Sequence, residues 1–561
     1  MKNKTQNKRL RLDFQAVVFA CVILSLLALV IYPFLTLILK SFAVTNLDFS
    51  AATLDNYKKT LSDPGFLSAS KNTLIISLAT SCVALLRACI SSWLVVRSDF
   101  KYKHLIKKNA FYTFVIPSYV LGISYLELFC NGGYLHHLAD KLGIDYGLSP
   151  YGMFGVILVL SIHLYPMCFY AISNAMGKVD RSLEDSACIA GASRLKAALT
   201  ITFPLLIPTI FSIGLFVFSR TMANFGVAAI LLMPSGKQVL STSIYRSLTM
   251  LDLNLLAAQS VVLVIASILI FAAQSWYMKK KSYVTVDMRA SKPRIIKLRN
   301  QKIIAALVFI VEFASCILPL IVIFSSSLLK RWGLEYTLDN LTLQNYADLL
   351  GNPHTLRAFR NSLVYGFSAS ILACLIASAT VHLANLKGKH LGFLEALASW
   401  PMSFPNIVMA VGAILCWSVY PVNFYGSPTI IIITYTTLYL PIAIKHISGS
   451  MKNLDTTLVD AARVSGASAG VAWKDIVLVH LMPALKSAVV LCMVIAFREI
   501  PISMMLHTGK TETVGVLLFN MKSNSAGLEA TSTLAAVVIL LSLVGRIILK
   551  KLKKASDGHA M

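Results

Sequence analysis

Two aspartates, Asp185 and Asp460, occupy the same place in two copies of one short pattern. The copies read Leu183-Glu-Asp-Ser-Ala-Cys-Ile-Ala-Gly191-Ala-Ser193 and Leu458-Val-Asp-Ala-Ala-Arg-Val-Ser-Gly466-Ala-Ser468, at an offset of 275. Pro208 and Pro483 recur at that offset, and the first copy adds Glu184 and Pro204. An acid near the start of a short helix suits the helix dipole and can pair with a basic group of a partner. The small residues Ala187, Ala461 and Ala462 let such a helix seat closely in a groove. Gly191 and Gly466 permit a sharp turn between two arms. The prolines are expected to open the next apolar helix, where a missing N–H is tolerated. The chemistry available here is docking: two rigid levers that take force from a partner.

Catalysis has no comparable signature. Gly509-Lys510-Thr511 resembles the end of a nucleotide-binding loop, but Met504 stands where the first glycine must be, so a plain turn is expected. The ten cysteines are scattered singly, without a paired spacing, and read as small buried residues. His136-His137 is the one adjacent histidine pair considered for a metal, and a solvated pair is the simpler reading. No catalytic, cofactor-binding or metal-ligating residue is assigned, and an enzyme is not expected. Polar residues inside apolar runs carry more weight, because charge within a membrane is costly and usually faces a cavity or a partner. Asn224 and Glu499 fall at equivalent positions, with Arg498 beside the second. These three are the candidate pathway residues; interhelical polar contact is the alternative. Arg87, Glu127 and Arg220 are further charges in apolar runs.

The elements that must position these residues are membrane helices. Of 561 residues, 57% are hydrophobic and only 14% charged, against about 25% charged in soluble domains. Mean hydropathy is +0.71. Candidate spans lie near 16–39, 74–96, 110–130, 153–174, 205–233 and 255–278, and again near 303–328, 362–385, 393–418, 428–447, 484–506 and 529–549. Helices are the expected form, since lipid-exposed backbone must satisfy itself. The first run is longer than a signal-peptide core and is read as a retained span.

The net charge of +26 is concentrated at Lys2–Arg11, Arg97–Lys108, Lys279–Lys302 and Lys550–Lys554. All four fall on one side of a single topology, the positive-inside pattern, which argues for anionic lipid contact and against nucleic acid. Both termini and the linker are then cytoplasmic. The chain divides into residues 1–278, a basic linker at 279–302, and 303–561. Asn56-Tyr57 recurs as Asn345-Tyr346 and Asn72 as Asn361, at offset 289; Pro117 matches Pro405 at 288, and Pro166 matches Pro441 at 275. The first half therefore carries extra residues in an outer loop, 131–150. Both halves have the same number of spans and the same orientation, so the repeat is parallel.

At this point the residues resemble a family. Glu-Ala-Ala, three residues, Gly, nine residues, Ile-x-Leu-Pro marks the permease subunits of binding-protein-dependent ABC importers. This chain gives Asp185-Ser-Ala187, Gly191 and Ile201-Thr-Phe-Pro204, then Asp460-Ala-Ala462, Gly466 and Ile476-Val-Leu-Val479. It departs in Asp for Glu, Ser186 for Ala, and Val479 for Pro. Asn224-Phe-Gly-Val227 and Arg498-Glu-Ile-Pro501 resemble the family's fifth-span signatures. Two permease halves in one chain resemble the iron(III)- and thiamine-type importers. The resemblance implies an all-α type I importer permease fold of about twelve transmembrane helices, in the bacterial cytoplasmic (inner) membrane. It implies two copies of a separate ABC ATPase, an outer solute-binding protein, and iron(III) as solute, with thiamine or phosphonate compounds as alternatives. A major-facilitator-type secondary transporter is the rival class. Its Gly-x-x-x-Asp-Arg loop is not matched by Arg97-Ser-Asp-Phe-Lys-Tyr-Lys.

Overall fold

The computed structural model describes residues 17–44, 52–280, 295–335, 337–385, 391–419, 422–523 and 527–558. The basic N-terminal patch and most of the linker lie outside them. Ten helices among the described residues are long and apolar enough to cross a membrane, and three further helix pairs qualify together but are bent. Two bent pairs, Lys103–Val115 with Ser118–Leu142 and Gly392–Ser403 with Asn406–Trp417, hold third place in each half, at 102° and 105°. Pro117 and Pro405 sit at these breaks as N-caps of the helices that follow. A proline supplies no N–H and drives the preceding residue out of helical geometry. Counting each of these two bent pairs as one crossing gives six spans in each half, in parallel order. A two-residue hairpin, Ser418–Val419 with Val422–Asn423, is the only sheet among the described residues.

The third bent pair, Gly226–Ser235 with Leu240–Thr249, turns by 79° between the fifth and sixth spans. Its counterpart is Pro501–Leu506 followed by Val514–Ser523. These re-entrant hairpins correct the sequence boundaries. The fifth span ends at Met222, not near 233, and the eleventh at Ala496, not near 506. Apolar character continues past both span ends, because a hairpin buried among spans is as hydrophobic as a span.

Each leading span packs against both halves. The first, Val17–Ser41, packs on the second half, where Phe34 stacks on Phe404 at 5.0 Å and Tyr32 meets Trp417 edge-on at 5.4 Å. The seventh, Gln301–Ser327, packs on the first half: Asn109 donates to the Glu312 carbonyl at 3.1 Å, and the Tyr134 hydroxyl lies 2.8 Å from those of Ser325 and Ser326. Both leading spans contain a π turn, Leu27–Ile31 and Phe313–Ile317, closely followed by Pro33 and Pro319. Such turns leave carbonyls without regular in-helix donors. Leu29 O accepts from the Thr437 hydroxyl at 3.2 Å, and Ala314 O from the Tyr125 hydroxyl at 2.8 Å. Both donors come from the opposite half. Tyr165, Tyr435 and Tyr439 lie fully buried in the interior.

Candidate functional site

The two levers have the same construction. Arg181–Ile189 and Thr456–Val464 are nine-residue helices. Asp180 caps the first by accepting from Ser182 N at 2.9 Å, and Asp455 caps the second by accepting from Thr457 N at 2.9 Å. The helix starts are thus held by Asp180 and Asp455, not by Asp185 and Asp460, which lie mid-helix. Asp180 and Asp455 also share the 275 offset. Aspartate at a helix start is the sequence signal for both caps.

Both levers end identically. Gly191 N donates to Cys188 O and Ala192 N to Ala187 O, at 3.1 and 2.9 Å; Gly466 N donates to Arg463 O and Ala467 N to Ala462 O, at 3.2 and 3.0 Å. This is the Schellman arrangement, which needs a left-handed residue. Gly191 has φ +89° and Gly466 +91°. Ala187 and Ala462 therefore supply the closing carbonyls, while Ala461 lies on the exposed surface. Short second arms follow, Arg194–Ala197 and Ala469–Ala472. Ser193 Oγ accepts from Lys196 N at 3.3 Å, and Ser468 Oγ from Val471 N at 3.2 Å. Ile189 and Val464, again one offset apart, are 88% and 89% exposed. Each lever thus carries a bare apolar residue near its tip.

Pro204 stands in the first turn of the helix Phe203–Met222, as expected, but Pro208 and Pro483 do not open their helices. π turns at Ala198–Thr202 and Trp473–Leu478 join each second arm to its span. Pro204 follows the first turn directly, and Pro208 and Pro483 lie inside the helices Phe203–Met222 and Val479–Ala496. The widened turns precede residues that provide no N–H.

Glu184 points inward. Its Oε1 lies 3.2 Å from Arg97 Nη1, and the Thr202 hydroxyl donates to the same oxygen. Arg97 lies just past the second span, Pro64–Val96. Burial lowers its pKa, and the Glu184 charge opposes that shift.

The candidate pathway residues stand at the breaks. Asn224 Oδ1 accepts from Val227 N at 3.1 Å. Glu499 Oε1 accepts from Ile502 N at 2.9 Å, and its Oε2 from Ser503 N at 3.1 Å. Each thus caps the first helix of its re-entrant hairpin. Glu499 is 3% exposed and also faces the hydroxyls of Ser503 and Tyr435. Arg498 turns away and donates to Phe114 O of the first half at 3.3 Å, so these neighbours in sequence are not an ion pair. Arg220 lies beside the Phe216 ring. The two breaks are close together: a Cβ on Gly226 would stand 3.8 Å from Ile500 Cδ1. Elsewhere, His136 pairs with Asp140 at 3.0 Å, and Thr511 N closes a turn on Thr508 O at 2.9 Å.

Residues 88–280 match the family described as the binding-protein-dependent transport system inner membrane component. The ferric transport system permease protein FbpB of Actinobacillus pleuropneumoniae is 27% identical over 444 residues, covering 77% of this chain and 63% of the relative. The Fe(3+)-transport system permease protein FbpB 2 of Haemophilus influenzae is 22% identical over 482 residues, covering 86% of this chain and 89% of the relative. The molybdate/tungstate transport system permease protein WtpB of Thermococcus kodakarensis is 27% identical over 274 residues; the match takes in 100% of that protein but 49% of this chain. A whole single-length permease thus fits in about half of this polypeptide. Two levers, two hairpins and two leading spans that bridge the halves thus stand in a chain similar, over most of its length, to permeases of binding-protein-dependent ABC importers.

Proposed function

We propose that this permease forms the solute path of an ATP-driven importer, and that ferric iron is its solute. Two copies of a separate ATPase seat on 180–203 and 455–482. Both termini and the 279–302 linker lie in the cytoplasm, and residues 1–278 and 303–561 act as the two half-permeases. An outer binding protein releases solute into the space between the halves when ATP draws the levers together. The carrying observation is the matched pair of levers, each ending in an exposed apolar residue beside a left-handed glycine. The names of the two ferric relatives support iron over thiamine or phosphonate compounds. Asn224, Arg498 and Glu499 are assigned to the path because they stand where the two halves' breaks approach each other.

The test is uptake of radioactive ferric iron by vesicles holding the permease with its ATPases and binding protein. Uptake is expected with internal ATP and not with a proton or sodium gradient alone. Gradient-driven uptake without any ATPase would move the chain to the secondary-transporter class.

A further inference from the structure

We propose that Glu184 is a positioning residue that clamps the first lever to the inner ends of the second and fourth spans, and that this clamp must hold for ATP hydrolysis to move solute. The proposal rests on the importer reading above. Arg97 is the centre of the clamp. Its Nη1 faces Glu184 at 3.2 Å, and its Nη2 lies 3.5 Å from the carbonyls of Met176 and Val179, at the end of the fourth span. Thr202, in the π turn leading to the fifth span, holds the same Glu184 oxygen. The Arg97 carbonyl accepts from Ile296 N at 2.8 Å, Asp99 N donates to Ile296 O at 3.0 Å, and Asp99 Oδ1 accepts from Leu298 N at 2.8 Å. The seventh span begins at Gln301. The Arg97 guanidinium therefore joins lever one to the end of the fourth span, while the Arg97 and Asp99 backbone and the Asp99 carboxylate tie the same corner to the approach to the second half.

Lever two is seated by different chemistry. The 275 offset places Val459 at the Glu184 position and Val477 at the Thr202 position. Val477 is buried, and Val459 packs against the apolar interior. The residue corresponding to Arg97, Leu386, lies outside the described residues. Apolar contact is non-directional and allows a helix to rock against its seat. The Arg97–Glu184 charge pair is only 3% and 12% exposed, and opening it strands a charge in a poorly solvated place. Lever one is therefore locked in orientation to the spans behind it, whereas lever two is held by shape. A displacement of lever one must carry the second and fourth spans with it.

The clamp faces inward and Ile189 faces outward, so docking and coupling are separable. In the assembled complex, Glu184→Gln keeps an acceptor for Thr202 and removes the charge seen by Arg97. It is expected to retain the ATPases at the wild-type ratio and to hydrolyse ATP, but to consume several-fold more ATP per ferric iron taken up. The reversal Glu184→Arg with Arg97→Glu is expected to recover part of that loss. A second readout needs no solute. Spin labels at Ser182→Cys and Lys101→Cys should report one distance without nucleotide and with ATP. Glu184→Gln should broaden that distance. A wild-type ATP-to-iron ratio together with an unbroadened distance in Glu184→Gln would overturn the clamp. Loss of ATPase retention in that variant would equally overturn it, by making Glu184 a docking residue. If the wild-type complex takes up no iron, the solute assignment fails, and the distance measurement alone decides the clamp.

Discussion

The guanidinium of Arg87, in the second span, lies 3.0 Å from the carboxylate of Glu312, in the seventh. This ion pair crosses between the halves, and Ser315 and the Tyr165 ring complete the Arg87 site. The offsets of 289 and 286 put Ile376 and Leu26 at the corresponding positions, so the first leading span has no counterpart of this ion pair. Removing one partner leaves a buried charge, a loss of about 3–5 kcal/mol, whereas replacing both with apolar groups is often neutral. Glu312→Met alone should sharply lower the yield and melting temperature of the monodisperse protein. Arg87→Met with Glu312→Met should recover most of both. Detergent-extracted thermal melts followed by size-exclusion would show whether the double variant is as poor as the single, which would refute the pair's role.

The lever glycines make a second case. A Cβ at Gly191 or Gly466 meets nothing within 4 Å, so bulk is tolerated and backbone strain is what a side chain brings. A left-handed L-residue costs about 1–2 kcal/mol, and a β-branched one is worse placed still. Gly191→Val and Gly466→Val should insert normally but lose ATPase retention and uptake. Asparagine at either site should keep much of both, because it tolerates left-handed geometry. Equal behaviour of Val and Asn variants in a pull-down would mean the turn is not what matters.

How much of this was legible in the sequence depends on whether the local chemistry repeated. Asn56 and Asn345 were visible as a repeat, and each now donates to two carbonyls at the end of its leading span, Ser41 and Ala43 or Ser327 and Leu329. Asn72 and Asn361 were visible too, and each reaches the loop of a re-entrant hairpin, at Gln238 O or at Lys510 O and Glu512 O. The hairpins themselves were missed, since hydropathy measures burial and not direction. Glu184 was read only as part of a docking motif. Its partner Arg97 lies 87 positions away, a distance no local pattern spans. The lever caps were readable and passed over.

The cap of lever two should respond to acid. Hydrogen bonds from the backbone and side chain of Thr457 hold the Asp455 carboxyl below its ordinary value of 3.8. A folded-state pKa below the unfolded one gives stabilisation that is present above the ordinary value and fades as pH falls through the lowered one. At neutral pH the cap is therefore fully charged and insensitive. Hydrogen exchange at the start of Thr456–Val464 should be flat from neutral pH down to the usual carboxylate range, after correction for intrinsic rates. Asp455→Ala should show faster exchange there at every pH, and Asp455→Asn an intermediate rate.

Glu499 brings capping and pathway into one test. In the first hairpin a neutral amide, Asn224, does the capping. In the second, a carboxylate does it with two backbone N–H groups. The charge is thus more than the cap requires, and keeping an ionisable group at 3% exposure is expensive. Glu499→Gln preserves shape and an acceptor, so folding and ATPase retention should persist while iron uptake falls. Glu499→Leu removes the acceptor and should lose roughly 1 kcal/mol or more of helix-cap stability, reading out as poor assembly. Asn224→Asp supplies the reciprocal arm by adding a charge at the equivalent place without removing the cap. If Glu499→Gln transports iron at the wild-type rate while Glu499→Leu fails to assemble, the carboxylate serves the hairpin alone, and the path must be lined by other residues.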